Sequence, residues 1–142
     1  MHSIESCVLS AGMNSYTSIA HWIHNFSESS HFRCSECNQN LLRTFSFSTI
    51  PPLIIFEFEG KELQIDSEVL VTSRNHQSHR CRLQGIIYYG ENHCTSHIIF
   101  NRQLWFHDGI STGTNMIYDG QLQSHTSLTH CRRKQACVAF YT

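Results

Sequence analysis

RLQGIIYYGENHCTSHIIFNRQLWFHDG, running from Arg82 to Gly109, decides the fold class. Leu83, Gly85, Ile87 and Tyr89 alternate with Gln84, Ile86 and Tyr88 in a run rich in β-branched and aromatic residues, which is the signature of a strand. Gly90-Glu91-Asn92 carries turn chemistry, because Gly and Asn tolerate positive φ. His93 to Phe100 reads as the return strand and Asn101-Arg102-Gln103 as a second polar connection. Leu104 to His107 reads as a third strand, closed by Asp108-Gly109. Connections this short join antiparallel neighbours, so the stretch predicts a meander. His93 then opens one strand and Asp108 closes the next, which sets both at one edge of the sheet. A carboxylate in that place fixes the tautomer of an imidazole and readies it as a base.

Outward from the meander the chain is an α+β sequence, dominated by antiparallel sheet with an N-terminal helix. Residues 1 to 14 are small and polar and are expected to fray. Asn14 or Ser15 is expected to cap a helix through about Phe26, because Ile19, Trp22, Ile23 and Phe26 recur at i, i+3, i+4 and i+7. That stripe reads as a core-facing side. Cys34-Ser35-Glu36-Cys37 predicts a tight turn, and Leu41 to Phe47 a strand leaving it. Pro51-Pro52 introduces a buried strand, Leu53 to Phe58. Leu63 to Ile65 and Ser67 to Val71 read as short strands of one hairpin, with Thr72 to His79 a polar loop. Ile110 to Thr114 is a Gly-containing loop. Arg132-Arg133-Lys134 reads as a solvated basic face. The organisation expected is one domain over 1–142: a helical segment at 1–30, the Cys-x-x-Cys turn at 31–49 and a β core at 50–142.

Composition bounds the possibilities. The chain has 142 residues, 40% of them hydrophobic and 15% charged, which is globular rather than disordered. A formal net charge of −1 argues against a nucleic-acid-binding surface. No apolar run approaches a membrane span, and no signal peptide is readable, so no membrane partner is expected. Seven cysteines with irregular spacing do not form a disulfide framework, and a reducing cytoplasmic or nuclear location is expected. Eleven histidines invite over-reading. His21, His24, His76, His79, His125 and His130 read as solvated or locally bonded, and His97 and His107 match no pattern. His93 rises above them through Asp108.

On these residues the chain resembles the C-terminal half of the ubiquitin-specific protease catalytic domain. Asn92-His93-Cys94-Thr95 and Trp105-Phe106-His107-Asp108 resemble the segments that carry that family's catalytic His and its Asp or Asn. Ile50-Pro51-Pro52-Leu53-Ile54-Ile55-Phe56-Glu57-Phe58 resembles its Leu-Pro-Pro-hydrophobic strand. Ala136-Cys137-Val138-Ala139-Phe140-Tyr141 resembles its closing strand. Cys34 and Cys37 sit where the family often has half of a zinc-binding fingers module. The four matches come in order and cover roughly residues 31 to 142. A SUMO-specific branch of the same fold has a comparable signature around its His.

The resemblance implies the palm and fingers part of a thiol-dependent deubiquitinase, with His93 and Asp108 as catalytic residues and ubiquitin or a ubiquitin-like modifier as partner. In such enzymes a thiolate attacks the isopeptide carbonyl. The His activates that thiol and then protonates the leaving amine, and the Asp orients the imidazole. The chain departs from the family at the nucleophile. Cys7, in Ser6-Cys7-Val8-Leu9-Ser10, lacks the upstream Asn and following aromatic of the family's Cys box, and reads as an ordinary small buried residue. Cys94 adjoins His93 on a strand, so its side chain points to the other face. The expectation is a truncated, inactive cysteine-peptidase-like hydrolase domain that holds a half-site. A non-catalytic ubiquitin- or SUMO-binding module, a SUMO-specific isopeptidase-like domain, and a compact hydrolase using Cys7 or Cys94 are the alternatives. No cofactor is required for this catalysis. A structural zinc needs about four ligands. Cys34 and Cys37 supply two, with His31 and His79-x-Cys81 as conceivable others, or the turn folds without metal.

Overall fold

The computed structural model describes residues 6–142 apart from Met13, Phe26, Phe45, His125 and Thr126, and does not describe the side chains of residues 27–31 and 42–44. In chain order the elements begin with β1 (Ser6–Ser10), α1 (Ile19–His24), β2 (Ser27–Arg33), β3 (Asn40–Thr44), β4 (Leu53–Glu57) and β5 (Glu68–Thr72). β6 (Ser78–Gly90), β7 (His93–Phe100), β8 (Gln103–His107) and β9 (Ile117–Gln121) follow. After a 3-10 turn come β10 (His130–Cys131) and β11 (Lys134–Tyr141). The result is α+β, with most of the described residues in sheet and one short α-helix among them.

The meander forms where the alternation places it. β6, β7 and β8 pair antiparallel, with Tyr88 opposite Thr95 and Ile98 opposite Trp105. Both connecting turns have two residues, Glu91-Asn92 and Asn101-Arg102, all at positive φ. Two successive positive φ values make a type I′ turn, whose twist matches that of paired strands. The main sheet runs β1-β4-β11-β6-β7-β8-β9. β5 pairs with the first half of β6, and β10 pairs with β11. β2 and β3 form a separate hairpin around the Cys34–Cys37 turn.

One face of the sheet carries the core. Ile54, Phe56, Leu83, Ile86, Tyr88, Leu104, Phe106, Ala139 and Tyr141 point into it, and α1 covers it through Ile19 and Trp22. Trp22 stacks on Tyr16 at 5.0 Å and meets Phe56 edge-on at 5.0 Å, and Phe56 in turn meets Tyr141 at 5.5 Å. Offset and edge-on ring pairs such as these add to the burial of their apolar area.

The structure corrects several expectations. The N-terminal segment is not simply helical, because Ser6–Ser10 forms β1, parallel to β4, and buries Leu9. The helix starts later than expected, with Ser18 as its N-cap. Gln64 hydrogen-bonds Thr17 and Ile19 through its backbone, holding the chain extended up to Ser18. Phe26 lies outside the described residues. Leu63 to Ile65 contributes this bridge rather than a hairpin strand, and β5 pairs with β6 instead. The basic run is not uniformly solvated. Arg132 and Arg133 form a third positive-φ turn, while Lys134 is buried and donates from Nζ to Gly90 O at 3.0 Å.

Candidate functional site

His93 and Asp108 meet at the open end of the β7–β8 hairpin, the end away from the Asn101-Arg102 turn. His93 is the first residue after the Glu91-Asn92 turn, and Asp108 is the first after β8. His93 Nε2 lies 2.7 Å from Asp108 Oδ1, with the side chains 28% and 16% exposed. The expected pairing is therefore formed. Gly90, opposite His93 in the register, is needed for close approach: a Cβ there would sit 3.3 Å from Cα and Cγ of Lys134.

The loop after β8 fixes the carboxylate. Ile110 N–H donates to Asp108 Oδ1 at 2.9 Å, and Ser111 Oγ donates to Oδ2 at 2.9 Å. Thr112 closes the loop, accepting from Asp108 N–H at 3.0 Å and donating to Asp108 O at 2.8 Å. The His93 contact first, then the Ile110 N–H and the Ser111 hydroxyl, hold the Asp108 carboxyl well below the usual carboxylate range. An ionised Asp108 accepts a hydrogen bond from Nε2–H of His93, and in that tautomer Nδ1 is the nitrogen free to accept a proton.

No thiol or hydroxyl among the described residues hydrogen-bonds His93. Cys94 is exposed, whereas His93 is partly buried, as alternation along a strand requires. Cys7 is half-buried and its thiol is raised by burial. It lies on β1, with β4, β11 and β6 intervening before β7. Four strand spacings amount to about 19 Å, so Cys7 does not reach His93. Cys81 is buried in the core, and burial raises its thiol too. Cys137 donates to Ile87 O at 3.4 Å. Burial, and then the neighbouring Cys94 and Glu59, push it up to about 11.

Cys34 and Cys37 come together at the β2–β3 turn, where Asn38 N–H donates to Cys34 O at 2.9 Å. The Cys37 and Glu36 backbone N–H groups and then the Cys37 side chain lower the Cys34 thiol. Among the described residues no group of three or more His, Cys, Asp and Glu ligands forms around this pair. The His31 side chain lies outside the described residues. His107, outside any motif, bonds Gly113 O through Nε2 at 2.9 Å.

A second cluster lies outside every sequence motif. His97 is buried and meets Tyr88, Asp119 and Cys131. Its place on the inward side of β7, two steps of the alternation from His93, was the available signal.

The fold that carries these residues is similar to part of the fold of Ubp8, a ubiquitin-specific protease. Solved structures that share it include SAGA DUB modules built on Ubp8. One contains a Ubp8 variant with Sgf11, Sus1 and Sgf73 bound to monoubiquitin; it is 14% identical, with a TM-score of 0.60, over 96% of this chain and 34% of that chain. A second, with another Ubp8 variant and a shortened Sgf11, is 15% identical, with a TM-score of 0.59, over 96% of this chain and 35% of that one. This chain thus spans about a third of the length of the solved chains it matches. No protein-family profile matches the sequence. No curated protein matches it either.

Proposed function

We propose that this chain carries the histidine–aspartate half of a ubiquitin-specific-protease-type cysteine isopeptidase site, and that its partner is ubiquitin or a ubiquitin-like modifier. The 2.7 Å contact between His93 and Asp108 carries this reading. The Ubp8-like fold supports it, and one solved neighbour is bound to monoubiquitin. His93 would take the proton of a thiol through Nδ1 and return it to the leaving lysine amine, while Asp108 holds the ring through Nε2. Without a thiol beside His93 this route forms no acyl-enzyme. The chain by itself is therefore expected to hydrolyse no isopeptide bond. Cys34 and Cys37 would supply two ligands of a structural zinc.

A non-catalytic binding module is the second reading, favoured by the sheet face opposite the core. Ile98 and Tyr118 are exposed there, Trp105 packs edge-on against Tyr118 at 5.6 Å, and Leu53, Ile87, Ile98 and Phe140 line a shallow groove of about 420 Å³. Half-exposed apolar strands are surfaces that a partner covers.

Incubation with ubiquitin bearing a C-terminal thiol-reactive warhead, read by intact mass, tests the first reading, and a SUMO probe run in parallel separates the modifiers. No adduct is expected, together with chemical-shift changes on titration with unmodified ubiquitin. An adduct that maps to one cysteine and disappears in His93→Ala would overturn the orphaned half-site. Absence of both adduct and binding, in a folded sample, would remove the modifier as partner.

A further inference from the structure

His97, Asp119 and Cys131 aim three ligand atoms at one point, apart from the His93–Asp108 pair. His97 Nε2 lies 2.7 Å from Asp119 Oδ2 and 3.9 Å from Cys131 Sγ, and the three atoms lie within 4.8 Å of one another. The other ring nitrogen, Nδ1, is 3.0 Å from the Tyr88 hydroxyl. A Cys–His–Asp triad uses both ring nitrogens, one for the thiol and one for the carboxylate. Here thiol and carboxylate both address Nε2. That is how ligands gather around a cation, with the far nitrogen tied to an outer partner.

We propose that His97 Nε2, Asp119 Oδ2 and Cys131 Sγ form a binding site for a zinc-type divalent cation, oriented by Tyr88 and Arg132. The donor set favours this class, since thiolate and imidazole together select zinc over magnesium or calcium. Tetrahedral zinc with bonds of about 2.0–2.3 Å sets neighbouring ligand atoms roughly 3.3–3.7 Å apart. The nitrogen–sulfur separation of 3.9 Å is close to that range. The nitrogen–oxygen separation must open by roughly half an ångström, and Asp119 is the most exposed of the three ligands. A water completes the fourth position.

The outer contacts fit the same assignment. Arg132 lies over Phe106, its guanidinium carbon 3.5 Å from the ring centre, and reaches Asp119 Oδ1 at 3.8 Å. It thus steadies one carboxylate oxygen while the other faces the cluster. Its own charge opposes a cation, but the side chain is half-exposed and screened. Cys131 would enter the site as a thiol and hold the cation as a thiolate. On binding, the Cys131 proton leaves to solvent, and the ring proton moves from Nε2 to Nδ1, which then donates to Tyr88 Oη. One cation enters and one proton leaves, and two anionic ligands offset the double charge in a site largely removed from water. The ligands come from β7, β9 and β10, so the cation would tie those strands together.

Cobalt(II) titration of the full chain in a Cys34→Ser/Cys37→Ser background tests the site without interference from the other thiol pair. One equivalent is expected, with a near-ultraviolet thiolate-to-cobalt charge-transfer band, displacement by zinc and a raised Tm. Cys131→Ser should abolish the band. Asp119→Asn, at a more exposed position, should weaken binding at least tenfold, and Tyr88→Phe by 10- to 100-fold. No band in a folded sample, or a band unchanged in both Cys131→Ser and Asp119→Asn, would overturn the proposal. Should Cys131→Ser fail to fold, the Asp119→Asn result decides alone.

Discussion

At the scale of single residues, the charge on Asp108 separates the candidate site from an ordinary surface pair. Its folded-state pKa is depressed, chiefly by His93. A depressed carboxylate contributes stability that is fully present above its unfolded value of about 4 and is lost as pH falls toward the folded value. Asp108→Asn is therefore expected to be less stable than the parent at pH 7, and the gap should close as the pH drops below about 4. Denaturant midpoints of both proteins at neutral and acid pH measure this. A gap of the same size at both ends would show that shape, and not charge, holds the loop. The pair was legible because both members lie in a single meander, where local turn chemistry sets the register. His97 was not, because Asp119 and Cys131 come from strands whose short runs carry little alternation.

At the scale of elements, the runs that carry their own alternation are legible, and those set by a partner distant in sequence are not. β4, β6, β7 and β8 follow from their own patterns. β1 does not, since Cys7-Val8-Leu9 becomes a strand only where Ile54 to Phe56 offers it an edge. The same holds for the start of α1, which Gln64 sets from a distance in sequence. The tight turns also carry a cost. Arg133, at φ 68, sits in the left-handed region, where a residue with a Cβ loses about 1–2 kcal/mol. Glycine removes that penalty but costs about 0.5–1 kcal/mol in unfolded-chain entropy. Arg133→Gly is thus expected to stabilise by about 0.5–1 kcal/mol, seen as a higher urea midpoint with unchanged slope. A lower midpoint would mean that the arginine side chain contributes more than its backbone costs.

At the scale of the molecule, one aromatic cluster joins the helix to the sheet. Trp22 is fully buried among Tyr16, Phe56 and Phe58. Trp22→Ala is expected to cost about 3–5 kcal/mol, a large share of the roughly 5–15 kcal/mol that holds a domain of this kind. Trp22→Phe should cost less, since most of the ring area remains. Thermal unfolding of the two variants side by side checks the order, and a reversed order would move the keystone of the core elsewhere. The position of β11 has a different consequence. It follows every other described strand in sequence, yet it lies between β4 and β6 and hydrogen-bonds to both. Among the described residues, no other strand of the main sheet joins the β1–β4 side to the β6–β9 side. During synthesis the meander with its His93–Asp108 pair can therefore be complete while the sheet is still in two pieces. Closure waits for Tyr141 to clear the ribosome, and until then the slot between β4 and β6 is open to any strand that arrives first.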